Sequence, residues 1–377
     1  MNARRVWAIT RKELLHVLRD FRSLTMAVLN PMIMLLLFGY ALTLDVDNIP
    51  MVVWDQSGTS RSRELISRFS SSPYFSLRMG VDNYRDLVDA VDAGRAIVAL
   101  VIPSDFAQNI DAGRDAAVQC IVDGSDSNTA TIAMAYAETV TQTFAMDVAS
   151  RQAAIHGGPA IHIPLDVRPR VWFNEELESK NFIIPGLIAV IMMVMAGLLT
   201  SLTIAREWER GTMEQLIATP VKGYELILGK LLPYFGLGLL DVILAVLMAE
   251  FLFHIPLRGN LVLLFGMVVL FLMGASSMGM VISIVTKSQL LASQVAMLST
   301  FLPAFLLSGF LFTISNMPKV IQIVTYLVPA RYFVLILKGI YLKGVGLEVL
   351  AIPTGLLVVY WIAAMSLAIV LFKKKLT

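Results

Sequence analysis

The chain has 377 residues, of which 57% are hydrophobic and only 15% charged, with a formal net charge of +2. Soluble domains carry nearer 25% charged residues, so this composition, with a mean hydropathy of +0.72, excludes a soluble enzyme and points to a membrane protein. No basic run interleaved with aromatics appears, which sets nucleic-acid binding aside, and the single cysteine, Cys120, allows no intrachain disulfide.

Residues 4–22 read RRVWAITRKELLHVLRDFR. Val6, Ile9, Leu14, Val17, Leu18 and Phe21 recur at helical spacing, with Arg4, Arg11, Lys12, Arg19 and Arg22 on the other side. Such a helix lies in the membrane interface with its basic face toward lipid headgroups, so residues 1–23 are predicted as a cytoplasmic interfacial helix. His16 has no second His or Cys at ligand spacing and reads as incidental.

A first span is predicted over 24–44, with Pro31 inside it. Basic residues before it and none soon after place the N-terminus in the cytoplasm. The stretch is longer than a signal-peptide core and Ala41-Leu42-Thr43 is a weak cleavage site, which favours an uncleaved anchor.

From 45 to 180 the hydropathy drops. Residues 50–55, 96–102 and 118–122 read as short buried strands, separated by helical stretches near 60–70, 83–93, 104–112 and 127–155. This is a mixed α/β domain large enough for its own core, and the preceding span puts it outside the cytoplasm. The acidic group Asp123, Ser125, Asp126 and Asn128 lacks the frame of a calcium loop; Ser125, Asp126 or Ser127 is predicted to cap the long helix that follows. His156 and His162 flank a Gly-Gly-Pro turn without a third metal ligand.

The second span, 182–205, holds Met192, Met193 and Met195 among Ala189, Ala196, Gly197, Thr200 and Ser201. A dimer seam, a loosely specific substrate wall and plain lipid-facing packing all fit that composition. Next comes AREWERGTMEQLIATP (205–220). Met213, Leu216 and Ile217 fall at i, i+3, i+4, giving a short polar helix one apolar face at the membrane edge, the outline of a docking peg.

The third span runs from about 226 to 253 and carries Asp241 near its middle. A carboxylate at that depth is costly unless paired, protonated or facing water; a pathway group and an interhelical hydrogen bond are the two readings. Glu250, His254 and Arg258 mark the outer end, with a short turn at 256–260. Gly223 to Leu231 is not a phosphate loop, having five residues between its glycines and no Ser/Thr after Lys230.

The fourth span, about 261–285, contains the small pair Ala275 and Gly279, and Lys287 marks the following inner turn. In the fifth, 289–312, Gln289, Ser293 and Thr300 share a helical face, and a polar stripe in a membrane helix faces the bundle interior or water. Residues 313–344 are apolar but broken by Pro318 and Pro329 and loaded with Lys319, Arg331, Lys338 and Lys343, which predicts an external re-entrant hairpin, against the positive-inside trend. The sixth span, about 349–372, ends in Lys373-Lys374-Lys375, a cytoplasmic stop. The fold class is therefore a six-span α-helical polytopic membrane protein with an inserted mixed α/β extracytoplasmic domain.

The segment EWERGTMEQLIATP (207–220) resembles the loop E-x-E-R-G-T-x-E-x-L-x-x-T-P found in permeases of type-2 ATP-binding-cassette exporters. IPSDFAQNI and VDGSDSNTA resemble the extracytoplasmic insertion of that family's long bacterial form. Residues 308–332 are similar to its S-G-x-x-x-P-x-x-x-M-P…P-x-R-Y stretch, with Thr313 where proline is common. The resemblance implies that loop 205–225 couples the membrane subunit to a separate ATPase through Arg206, Glu207, Glu209, Arg210, Gly211, Thr212, Glu214, Gln215 and Leu216. It also implies a second permease copy or paralogue, ATP and Mg held only by the ATPase partner, and no cofactor on this chain. A bacterial inner-membrane exporter of small hydrophobic or amphipathic compounds follows, its external domain receiving substrate or a periplasmic adaptor. Pathway candidates are Asp241, Gln289, Ser293, Thr300, Met192 and Met195. Two alternatives stand beside this: a secondary transporter driven by an ion gradient at Asp241, and a membrane-anchored sensor or assembly factor.

Overall fold

The computed structural model describes residues 2–42, 48–155, 172–174 and 178–372; His156, His162 and Lys373 to Lys375 lie outside them. In chain order the elements begin with helices α1 (Ala3–Arg19) and α2 (Phe21–Ala41). There follow β1 (Ile49–Asp55), α3 (Ser60–Ser71), β2 (Phe75–Gly80), α4 (Tyr84–Asp92), β3 (Val98–Ile102), α5 (Phe106–Asp111), β4 (Gln119–Val122) and α6 (Ser127–Ile155). The rest is helical: α7 (Ser179–Glu209), α8 (Thr212–Ala218), α9 (Gly223–Phe251), α10 (Leu261–Thr286), α11 (Gln289–Leu307), α12 (Lys319–Thr325), α13 (Pro329–Lys338) continuing into a π-helical turn (Gly339–Lys343), and α14 (Leu347–Leu371). The chain divides into two compact units, residues 44–169 and residues 1–43 with 170–377.

The smaller unit is a four-stranded sheet in the order β2-β1-β3-β4, parallel except for the β3–β4 pair. Strand alternation sorts its apolar side chains onto two faces. Ile49, Met51 and Val53 of β1, with Val98 and Leu100, pack under α3, α5 and α6 through Leu65, Phe69, Phe106 and Phe144. Val52, Ala99 and Val101 face the other way, onto Leu87 and Ala90 of α4. The predicted strands and helices coincide with observed ones, but β2 went unread because Ser76 to Gly80 is largely exposed and offers no apolar run. Asp126 caps α6 as predicted, accepting the Asn128 N–H at 3.1 Å and the Thr129 hydroxyl at 2.5 Å. Those two donors hold its carboxyl below the usual range, the Thr129 hydroxyl contributing most.

Among the described residues of the larger unit five helices, α7, α9, α10, α11 and α14, are long and apolar enough to cross a membrane, and the bent pair α12–α13 makes up to six. The predicted first span maps onto α2, of which residues 27–41 form only a short apolar helix. α7 is the hub, packing on α2, α9, α10, α11 and α13. Its small residues make this possible: a Cβ on Gly197 would sit 2.6 Å from Thr300 of α11, and one on Gly279 of α10 would sit 2.5 Å from the Gly197 carbonyl.

Two sequence boundaries shift. α7 continues through the charged segment to Glu209, so the connection to α9 is only 210–222. The predicted hairpin at 313–344 is a pair of helices meeting at 84°. Two of its cations, Arg331 and Lys338, are satisfied without acids. Arg331 donates to the Gln322 carbonyl and the Thr325 hydroxyl and lies over the Tyr326 ring, and Lys338 donates to the Gly309 carbonyl at 3.1 Å beneath the Phe182 ring.

Candidate functional site

The charged end of the bundle, where α1, α7, α8 and α9 meet, is organised by one lysine. Lys230, about two turns into α9, is 1% exposed. A buried ammonium is costly unless paired and hydrogen-bonded, and Lys230 is paired twice, with Glu13 of α1 and at 2.8 Å with Glu207 of α7. Lys12 reaches the same Glu207 oxygen at 3.0 Å, and the Thr212 hydroxyl of α8 donates to its other oxygen. Two lysines and two glutamates from α1, α7 and α9 thus make a cluster of zero formal charge, to which Thr212 ties α8. Glu13 is held in position because α1 lies flat on α9: the Thr10 hydroxyl donates to the Gly229 carbonyl at 3.1 Å, and Ile9 fills the space that a side chain at 229 would need. Below it Glu225 accepts the Asn2 and Lys222 N–H groups, and Arg5 donates to the Pro220 carbonyl at 2.6 Å.

This arrangement changes the picture of the first helix. Its apolar residues divide between two surroundings, Val6, Ile9 and Val17 against the protein and Trp7, Leu14 and Leu18 exposed. Sequence reading missed Glu13 and Lys230. The available signal was one acid and one base, each inside an otherwise apolar frame.

The segment around α8 is a peg, but its apolar face points home. Met213 is fully buried and Leu216 and Ile217 half-buried against Ile204, Leu226, Met280, Ala368 and Phe372. Gly211 turns the chain from α7 into α8 at φ 70°, a left-handed conformation that glycine adopts without strain. Among the residues named for coupling, Glu209, Arg210, Gly211, Glu214 and Gln215 are exposed, Arg206, Thr212 and Leu216 half-buried, and Glu207 buried.

A second tie joins this end to α11. Glu209 accepts the Gln289 N–H at 3.0 Å, the Gln289 side-chain amide at 2.5 Å and the Ser288 hydroxyl at 3.2 Å, so a carboxylate caps the α11 N-terminus. Arg206 Nε donates to the side-chain Oε1 of Gln289 at 3.3 Å. Further in, Ser283 of α10 accepts the backbone N–H groups of Ile204 and Ala205, both at 2.9 Å.

Beside this end lies a cavity of about 580 Å³ between α1, α2, α7 and α9. Its walls are apolar, Ile33, Met195, Leu198, Leu199, Leu202 and Leu237 among them, and its polar edge carries His16, Asp20 and Arg206. His16, incidental by sequence, is therefore a wall residue. Of the six pathway candidates only Met195 lines this cavity. Met192 is buried in the core. Thr300 is buried against Gly197 with its hydroxyl on the Ala296 carbonyl at 2.7 Å, while Ser293 and Gln289 sit half-buried toward the α11 N-terminus. Asp241 is fully buried, and neither carboxylate oxygen has a hydrogen-bond partner among the described residues.

Comparison with known proteins gives a consistent set of relatives. The sequence profile described as ABC-2 family transporter protein matches residues 21–370. The chain is 40% identical to the probable multidrug ABC transporter permease YbhS of Escherichia coli, over 90% of this chain and 89% of that protein. It is 29% identical to the probable multidrug ABC transporter permease YbhR of the same organism, over 98% and 99%. It is also 24% identical to ABC transporter G family member 20 of Dictyostelium discoideum, over 93% of this chain but 48% of that one.

Proposed function

The chain belongs to the ABC-2 transporter family, and from that premise we propose that it is the membrane-spanning half of an ATP-driven exporter of small amphipathic compounds. ATP and Mg are bound and hydrolysed by a separate ATPase subunit, and a second permease copy or paralogue completes the transmembrane path. The protein sits in the bacterial inner membrane with both termini in the cytoplasm, and residues 44–169 form the extracytoplasmic domain.

The observation that carries the coupling assignment is the peg. Its outer surface presents Glu209, Arg210, Gly211, Glu214 and Gln215, while Thr212 on the inner side is bonded to Glu207 and, through it, to Lys230 of the next span. A push on the peg by the ATPase is delivered to α1, α7 and α9 as a unit, and through Glu209 to α11. The apolar cavity between α1, α2, α7 and α9 is the intake for substrate, with the hydrophobic body against Met195, Leu199 and Leu202 and the polar end at His16 and Arg206.

Co-purification from native membranes tests this. A stoichiometric ATPase partner is expected, lost on Arg210→Glu with Glu214→Lys, two exposed changes that leave the buried cluster untouched. Retention of the partner and of substrate-stimulated ATPase activity in that double variant would refute the coupling surface.

A further inference from the structure

Helix α1 carries five cations, Arg4, Arg5, Arg11, Lys12 and Arg19, against a single acid, Glu13. Arg5 lies 3.9 Å from Glu225 and Lys12 3.0 Å from Glu207, while Glu13 is taken by Lys230. Arg4, Arg11 and Arg19 have no ion-pair partner among the described residues. Arg11 and Arg19, with Lys12, Leu15 and His16, line an open groove of about 520 Å³ on the surface of α1. His16 also lines the apolar cavity of about 580 Å³ between α1, α2, α7 and α9. A basic surface groove and an apolar cavity thus share one side chain.

Inside the cavity, α7 presents Met195, Leu198, Leu199, Leu202 and Arg206, at spacings of three and four that put them on one helical face. At about 1.5 Å per residue, Arg206 stands about 16 Å along the helix from Met195. The wall is therefore apolar over most of its length and cationic at one end. Arg206 Nε donates to a neutral group, the Gln289 side-chain oxygen, and its two terminal nitrogens make no hydrogen bond or ion pair among the described residues. Asp20, the acid at the same edge, is already engaged in an interaction of its own and follows directly on the basic last turn of α1, His16 and Arg19.

Given that this cavity is the intake for substrate, as proposed above, we propose that the compound it selects is an anionic amphiphile, an apolar body ending in a carboxylate, sulfonate or phosphate. Arg11, Lys12 and Arg19 raise the local concentration of such anions at the groove, as surfaces of one sign do. The head passes His16 and is held by the planar fork of Arg206, which matches an oxyanion through two N–H groups. The tail lies on Met195, Leu199 and Leu202. An ammonium head meets a groove of its own sign, and an uncharged head gives the guanidinium no counter-charge.

The test places the full-length protein in phosphatidylcholine nanodiscs with dansyl-undecanoate, whose fluorescence rises in an apolar site, and empty nanodiscs give the background. Dodecyl sulfonate, dodecyl trimethylammonium and dodecanoyl glycerol, each below its micellar concentration, compete for the probe's site. The sulfonate should displace the probe at about tenfold lower concentration than either of the others, the worth of one charge-assisted hydrogen bond. Arg206→Gln should remove most of that preference and leave the glycerol ester unaffected. Arg11→Gln with Arg19→Gln, two exposed changes, should weaken the sulfonate about two- to threefold at low salt and not at high salt. Thermal unfolding of each variant verifies that the fold is kept. Leu199→Trp, which fills part of the cavity, should weaken all three competitors. If it does, but the three compete equally in the parent protein, the intake stands and anionic selection is overturned. A preference for the ammonium, or one for the sulfonate that survives Arg206→Gln, overturns the selection as well. Binding and displacement unaltered by Leu199→Trp would overturn the intake itself, and the selection with it.

Discussion

Replacing Lys230 by methionine strands two glutamates in the interior. Their side chains are 5% and 9% exposed, and that of Lys230 only 2%. Removing one partner of a buried ion pair typically costs about 3–5 kcal/mol, because the remaining charge is left uncompensated. The two glutamates are not stranded equally. Glu207 keeps Lys12 at 3.0 Å and the Thr212 hydroxyl, but Lys12 is 56% exposed and such a solvent-screened pair contributes only about 0–1 kcal/mol. Glu13 has no other ion-pair partner among the described residues. The loss should therefore fall near the lower end, about 3 kcal/mol, and most of it should belong to Glu13. Reversible unfolding of the purified protein in mixed detergent micelles measures this. Lys230→Met alone should be strongly destabilised, and adding Glu13→Gln should recover more of the loss than adding Glu207→Gln. A single variant as stable as the parent, or a rescue by Glu207→Gln that equals the one by Glu13→Gln, would refute the cluster as described.

Three further outcomes are expected. Gly279→Leu should separate α7 from α10, since a Cβ at 279 already meets the Gly197 carbonyl; a loss of several kcal/mol, about what overpacking and a broken close contact give together, should appear as failure to yield monodisperse protein. Leu199→Trp should fill part of the 580 Å³ cavity and lower substrate-stimulated ATPase activity of the complex while leaving the basal rate and the expression level unchanged. Asp241→Leu removes two carboxylate oxygens that lack partners among the described residues, so unfolding measurements should find the variant unchanged or more stable, by about 1–3 kcal/mol, with export retained; abolished export would instead put Asp241 in the transport step and favour coupling to an ion gradient.

Much of the architecture was legible because it rests on local rules. The long apolar runs, the short buried strands β1 and β3 between turn residues, the bounds of α6 and its Asp126 cap all follow from local apolar patterning and from the demand of free backbone N–H groups for acceptors. What escaped depends on neighbours. β2 carries no burial signal of its own and exists through its pairing with β1. His16 gains its place in a cavity wall from α2 and α7, which sequence spacing does not place beside it. Asp241 stood out by sequence and is isolated in the structure, whereas Lys230 was passed over in the failed phosphate-loop comparison and turned out to join three elements.

The peg shows why that division matters for mechanism. Helical spacing correctly gave α8 an apolar face, yet spacing says which side chains share a face and nothing about what the face meets. A peg with its greasy side outward would bind an ATPase tightly and pass little on to the spans, because nothing rigid would connect it to them. With Met213 buried in the bundle and Thr212 bonded to Glu207, the contacts that grip the spans are the apolar and ionic ones. Those left exposed are polar. In the coupling proposed above, gripping inward through a buried, costly ion cluster and outward through a replaceable polar surface would let the docking surface be altered without loosening the transmission. The Lys230 and Arg210/Glu214 variants should accordingly fail in different ways: the first in stability, the second in partner retention with the fold intact.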